Sequence, residues 1–141
     1  MKIIRKGSVV WNGGFKDGRG ALSTESGALK DYPYGFASRF EGQKGSNPEE
    51  LIGAAHAGCF TMALSKLLAD ANLTAEQMNT TAAVTLEKLD DGFAITTIHL
   101  TLKAKIPGTD QATFADLAAK AKAGCPVSKL FKANITLDAS L

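Results

Sequence analysis

The chain is expected to fold as an α+β protein, with a mainly antiparallel sheet packed on one long central helix. Three observations predict this. A long apolar segment after Asn47 carries helix-start chemistry, strand-like alternation lies on both sides of it, and Gly- or Pro-containing turns mark the borders between segments. The 141 residues suit one domain, 1–141, large enough for a sizeable core.

Residues 2–12 and 18–25 read as strands joined by the turn residues of NGGFKDG. A third short strand is expected over 35–40, after the turn-forming DYPY. The helix over 48–71 is the firmest element. Asn47 is a good N-cap, Pro48 suits the first helical position, and Glu49 and Glu50 favour the positive end of the dipole. The body is apolar nearly all round: Leu51, Ile52, Ala54, Ala55, Cys59, Phe60, Met62 and Leu64. A helix without a wet face is normally buried on several sides, and one small sheet covers only one. A homodimer with this helix at its centre is therefore expected. Residues 81–88 form the next strand, and Asp91-Gly92 supplies a hairpin turn. The return strand alternates at Ile98, Leu100, Leu102, Ala104 and Ile106, and Pro107-Gly108 ends it. Residues 110–123 make an alanine-rich helix stopped by Gly124. Cys125-Pro126 opens a short second helix, and 134–139 is a last strand with Ile135 and Leu137 inward. The order is βββ-α-ββ-αα-β.

Charge is nearly balanced, 16 basic against 14 acidic side chains, and aromatics are few. Neither favours a nucleic-acid partner. The N-terminus lacks an apolar core of signal-peptide length. His56, Ser65 and Lys66 interrupt the longest apolar run, so no bilayer span and no membrane partner are expected. A cytoplasmic location is the expectation. There a pair of cysteines is more often catalytic or redox-sensing than a structural disulfide. With two Cys and two His, a metal cage is hard to build.

Sulfur is the only strong nucleophile available, and the thiolate is its reactive form. A free cysteine is also commonly a small buried hydrophobe, so each thiol is judged by its neighbours. Cys125 precedes a helix whose N-terminal end favours negative charge. Cys59 lies mid-helix among apolar residues, where burial raises a thiol pKa, so it needs a cation from elsewhere or is inert. Arg39 in ASRFEG is the best candidate; a plain surface arginine on a strand is the alternative. Such a guanidinium needs an orienting carboxylate. At about 100° per residue, Glu50 projects roughly opposite to Cys59 and Glu49 about 80° from it. Glu50 also stands three residues after Asn47, as in a capping box. Glu49 is thus favoured as the partner of Arg39 and Glu50 as a cap. Glu49 lies about 15 Å along the axis from Cys59. Either Arg39 spans part of that gap or a neighbouring subunit supplies the carboxylate. His56, one turn before Cys59, could activate it, but a histidine in an apolar helix is more often a hydrogen-bonded core residue. His99 reads as a surface residue.

The segments YPYGFASRFEGQKGSNPEELIGAAHAGCFTMALS and AKAGCPVSK closely resemble the osmotically inducible protein C (OsmC) family, relatives of the organic hydroperoxide resistance proteins. The resemblance runs through essentially the whole chain. It implies an intertwined homodimer with two sites at the subunit interface. It also implies a thiol-dependent peroxidase acting on organic hydroperoxides and on hydrogen peroxide, needing no metal or cofactor. Cys59 matches the peroxidatic residue and Cys125 the resolving one, while Arg39 and Glu49 match the activating pair, with Glu50 open beside it. The implied cycle takes Cys59 to a sulfenic acid, then to a Cys59–Cys125 disulfide, which an external dithiol reductant of lipoyl type reopens. Phe36, Phe60 and Met62 could accept an alkyl tail or be plain core. One tension stands: the helix end favours Cys125 as the acidic thiol, the family Cys59. A non-catalytic small-ligand-binding stress protein and a disulfide redox sensor are the rival readings.

Overall fold

The expected strands form with shifted bounds: the first begins at Gly7 rather than residue 2, the one expected over 81–88 begins at Gln77, and the one expected over 35–40 lies elsewhere. The structure is a computed structural model and describes residues 1–141. The α+β expectation holds. Two three-stranded sheets form, and only one of their strand pairings is parallel. The chain divides into two units, Met1–Leu51 and Ile52–Leu141.

In the first unit β1 (Gly7–Asn12), β2 (Arg19–Thr24) and β3 (Tyr32–Tyr34) pair antiparallel in the order β1-β2-β3. Every residue of β1 is exposed, Val9 and Val10 included. The strand expected over 35–40 is instead the short helix α1 (Phe36–Phe40), and the strand lies earlier, at β3. The reason is local. Pro33 has no N–H to donate and sits acceptably on the edge strand. Ser38 then closes a helical turn: its Oγ accepts from the Gly35 N–H at 3.0 Å and reaches the Ser46 carbonyl at 2.8 Å.

Helix α2 (Pro48–Asp70) begins as its cap chemistry dictates, with Asn47 Oδ1 accepting the Glu50 N–H at 2.8 Å. The bilayer expectation needs correction. This helix is long and apolar enough to cross a membrane, with a mean hydropathy of 1.4 over an 18-residue window. His56, Ser65 and Lys66 interrupt this helix without making it polar on average.

In the second unit β4 (Gln77–Leu89) and β5 (Gly92–Lys105) form a long hairpin closed at Leu89↔Gly92, so the turn residues are Asp90-Asp91 and Gly92 carries the positive φ of 130°. Helix α3 (Gln111–Gly124) is capped by Asp110, whose Oδ1 accepts from the Thr113 N–H at 2.7 Å. Helix α4 (Pro126–Leu130) follows, and β6 (Asn134–Ser140) then runs parallel to β5. One sheet face aligns Val84 with Ile98 and Ile135, and Ala82 with Leu100 and Leu137. Phe60, Leu64 and Leu68 of α2 and Phe114 and Ala121 of α3 belong to the same core. Each large side chain buried there contributes about 1.5–3 kcal/mol. Gly53 permits the close approach of α2 to β4, since a Cβ there would stand 2.9 Å from the Ala82 carbonyl oxygen. Ala54, Ala55, Gly58, Met62 and Ser65 of α2 are exposed, and only 28% of the most apolar window is buried.

Candidate active site

The candidate residues form two pairs, one in each unit. In Met1–Leu51, helix α1 carries Arg39 and the first turn of α2 carries Glu49. The guanidinium donates from Nη2 to Glu49 Oε1 at 2.7 Å and from Nε to Oε2 at 3.3 Å, a two-pronged pairing that fixes the plane of the cation. The pair is mostly shielded, with side-chain exposures of 27% and 13%. Hydrogen bonding to Glu49 raises the Arg39 pKa against the opposing effect of burial, and Tyr34 adds to the rise. The carbon of the guanidinium stands 5.2 Å from the Phe40 ring centroid. Phe40 continues an aromatic series, Phe36–Phe40 at 5.0 Å and Phe15–Phe36 at 5.1 Å. Glu50 has the other duty: its backbone, not its carboxylate, meets the Asn47 cap.

In Ile52–Leu141 the two thiols meet. Cys59, on α2, is half-buried, and Cys125, between α3 and α4, is fully buried; both are free. Burial is the largest influence on the Cys59 thiol and pushes its pKa up. A hydrogen bond with the Cys125 side chain pushes the same way, and the Val127 backbone N–H pulls the value down by donating to the sulfur. The Val127 amide, in the first turn of α4, acts on Cys59.

His56 lies one turn before Cys59 and is wholly buried. Its Nε2 is 2.7 Å from Ser128 Oγ, and Phe131 packs edge-on to the ring at 5.6 Å. Nδ1 is buried with no hydrogen-bond partner. Burial lowers the imidazole pKa, so the ring is neutral at neutral pH. The core alternative for His56 describes this environment, though with a polar partner on α4. His99 is part-exposed and bonded to Thr136 and Asp138 on β6. Phe60 is fully buried in the core, whereas Met62 is 77% exposed.

Sequence reasoning missed three groups: the Val127 N–H, Ser128 and Tyr34. The first two had a signal. Cys125 and Ser128 are three residues apart, as are His56 and Cys59, so pairing one thiol with the other across two helices aligns the remaining two as well. Tyr34 had none, since its approach to Arg39 depends on where β3 ends.

Residues 41–140 match the family model described as OsmC-like protein. The chain is 57% identical over 141 residues to the Escherichia coli protein named peroxiredoxin OsmC, covering 100% of this chain and 99% of that one. It is 31% identical over 101 residues to the organic hydroperoxide resistance protein of Xanthomonas axonopodis pv. citri, covering 71% and 69% of the two chains. The crystal structure of the organic hydroperoxide resistance protein OhrB of Bacillus subtilis superposes with a TM-score of 0.72 at 28% identity, over 96% of this chain and 97% of that one. With a family-model match over residues 41–140 and a relative similar from end to end, the chain belongs to the OsmC-like protein family.

Proposed function

We propose that the chain is a thiol-dependent peroxidase that reduces organic hydroperoxides, and hydrogen peroxide, in oxidative or osmotic stress defence. The observation that carries this reading is that the Cys59 and Cys125 thiols are neighbours at one hydrophobic core, near enough for Cys125 to influence the ionisation of Cys59. Neighbouring thiols are the arrangement from which a disulfide forms. The relatives named peroxiredoxin OsmC and organic hydroperoxide resistance protein support it.

In the proposed cycle the Cys59 thiolate attacks the outer peroxide oxygen. The S–O bond forms, the O–O bond breaks, and the leaving alkoxide takes a proton to become an alcohol, or water from hydrogen peroxide. Cys125 then attacks the sulfenic sulfur; the S–S bond forms and the hydroxyl leaves as water. An external dithiol reduces the disulfide by exchange and is itself oxidised. Burial opposes ionisation of Cys59, so the reading assigns Arg39 as the cation that stabilises the thiolate and the leaving oxygen, and Glu49 as the group that orients it. The fixed guanidinium plane supports that role. The aromatic series Phe15, Phe36 and Phe40 beside Arg39 suits an alkyl or aryl tail. Phe60 does not, being closed inside the core.

The working form in this reading is an intertwined cytoplasmic homodimer of a single domain, 1–141. The uncovered apolar face of α2 and the exposed Val9 and Val10 of β1 support a second copy. The direct test is consumption of cumene hydroperoxide with a dithiol present, by the wild-type, Cys59→Ser and Arg39→Ala proteins. The reading expects turnover in the first, none in the second and a large loss in the third. Equal turnover by the wild-type and Cys59→Ser proteins refutes it.

A further inference from the structure

We propose that His56 and Ser128 are positioning residues for the second half of the cycle, holding Cys125 against Cys59 so that the sulfenic acid closes to a disulfide before it is oxidised further. This deepens the peroxidase reading above and rests on it.

The geometry is that of two rungs between the same two elements. Cys59 meets Cys125, and one turn away His56 Nε2 meets Ser128 Oγ at 2.7 Å. The order reverses across the pair: 56 then 59 on α2 faces 128 then 125 at α4. The second rung therefore sets the register of the first. Helix α4 has only five residues, Pro126–Leu130, too short to hold its place through its own hydrogen bonds. Its Leu130 is 75% exposed and Pro126 is exposed, so its inward anchors are Val127 and Ser128. Of these two side chains, only the Ser128 hydroxyl offers a directional bond to α2.

His56 is an expensive residue for mere filling. It is wholly enclosed, its Nδ1 has no partner, and an apolar side chain would leave no such orphan. A polar group kept in the core on these terms, bonded to the helix that carries the second thiol's neighbours, serves placement rather than burial.

The test separates closure of the disulfide from the first oxidation. Reduced wild-type, Ser128→Ala and Ser128→Thr proteins are treated with rising cumene hydroperoxide. Mass spectrometry then measures Cys59 sulfinic acid against the Cys59–Cys125 disulfide. Ser128→Ala is expected to raise the sulfinic fraction about five- to tenfold, with single-turnover peroxide consumption within about twofold of wild type. Ser128→Thr, which keeps the hydroxyl, is expected to restore the wild-type partition. A parallel arm closes the disulfide with diamide, which needs no peroxide chemistry. Slower closure in Ser128→Ala supports the positioning role even if the wild type consumes no peroxide, an outcome that sinks the peroxidase reading alone. Unchanged partition and unchanged diamide closure overturn the positioning role, as does Ser128→Thr behaving like Ser128→Ala. If Ser128→Ala fails to fold, the double variant His56→Phe, Ser128→Ala removes both polar groups together, and the same slow closure is expected of it; wild-type closure there is refuting.

Discussion

Replacing Glu49 with glutamine strikes the proposed electrostatics without removing the cation itself. Arg39 holds Glu49 through bonds of 2.7 and 3.3 Å. Glutamine keeps one acceptor oxygen but presents an NH2 donor where the second stood, facing a guanidinium N–H. A bond to a charged partner is worth about 1.5–3 kcal/mol. The pair's partial exposure, 27% and 13%, places the loss toward the lower end, about 1.5–2 kcal/mol. At about 1.4 kcal/mol per decade, kcat/KM for a hydroperoxide falls roughly ten- to thirtyfold if guanidinium orientation is what charges Cys59. The matched control is Glu50→Gln. Its backbone N–H stays on Asn47, and its carboxylate adds only the helix-dipole contribution of about 0.3–1 kcal/mol to stability. Turnover there stays within about twofold of wild type. The assay is initial peroxide consumption with a saturating dithiol, alongside urea unfolding to separate lost activity from lost structure. Equal losses in the two variants, or a larger loss in Glu50→Gln, refute the assignment of Glu49.

Four further outcomes follow from the same geometry. In a Cys125→Ser protein one equivalent of hydroperoxide leaves a sulfenic acid that a dimedone-type probe traps on Cys59; labelling found only elsewhere reverses the roles of the thiols. If Arg39 is the cation that opposes the burial raising Cys59, iodoacetamide alkylates the Arg39→Ala protein more slowly than the wild type at neutral pH, and equal rates remove Arg39 from that role. A raised folded-state thiol pKa adds stability that is complete below the unfolded value and lost as pH rises through the folded one. His56 carries the opposite sign: its pKa is lowered from 6.5 by burial, so stability is complete above 6.5 and declines as pH falls from there toward the folded value. Urea midpoints between neutral and mildly acidic pH show a steeper decline in the wild type than in a His56→Phe, Ser128→Ala protein. Finally, Met62→Glu puts a charge on the uncovered face of α2, and sedimentation of that variant shifts toward monomer if this face joins two copies; an unchanged distribution removes α2 from the interface.

Much was legible in the sequence because it depends on neighbours along the chain. Asn47, Pro48 and the acidic first turn announce where α2 begins, and the alternation from Ile98 to Ala104 announces which side of β5 turns inward. The angle of Glu49 against Glu50 around the helix, together with the cap, indicated which carboxylate is free for Arg39, and the bonds fall on Glu49. The family pattern was also local, carried by the stretches around Cys59 and Cys125. Residues 36–40 misled because Phe-Ala-Ser-Arg-Phe suits a strand or a helical turn equally. The Ser38 bonds to Gly35 and to the distant Ser46 decide between them.

Capping, period and turn chemistry act over a few residues, so the sequence alone determined the α+β class, the course of α2 and the residues able to do thiol chemistry. Only tertiary structure decided that the Val127 amide acts on Cys59, that His56 takes Ser128 as its partner, and that Phe60 is core. Each of these joins groups dozens of residues apart. Their meeting is set by how α3, α4 and the β4-β5-β6 sheet pack on α2, where burial and hydrogen-bond geometry, not sequence spacing, determine the contacts.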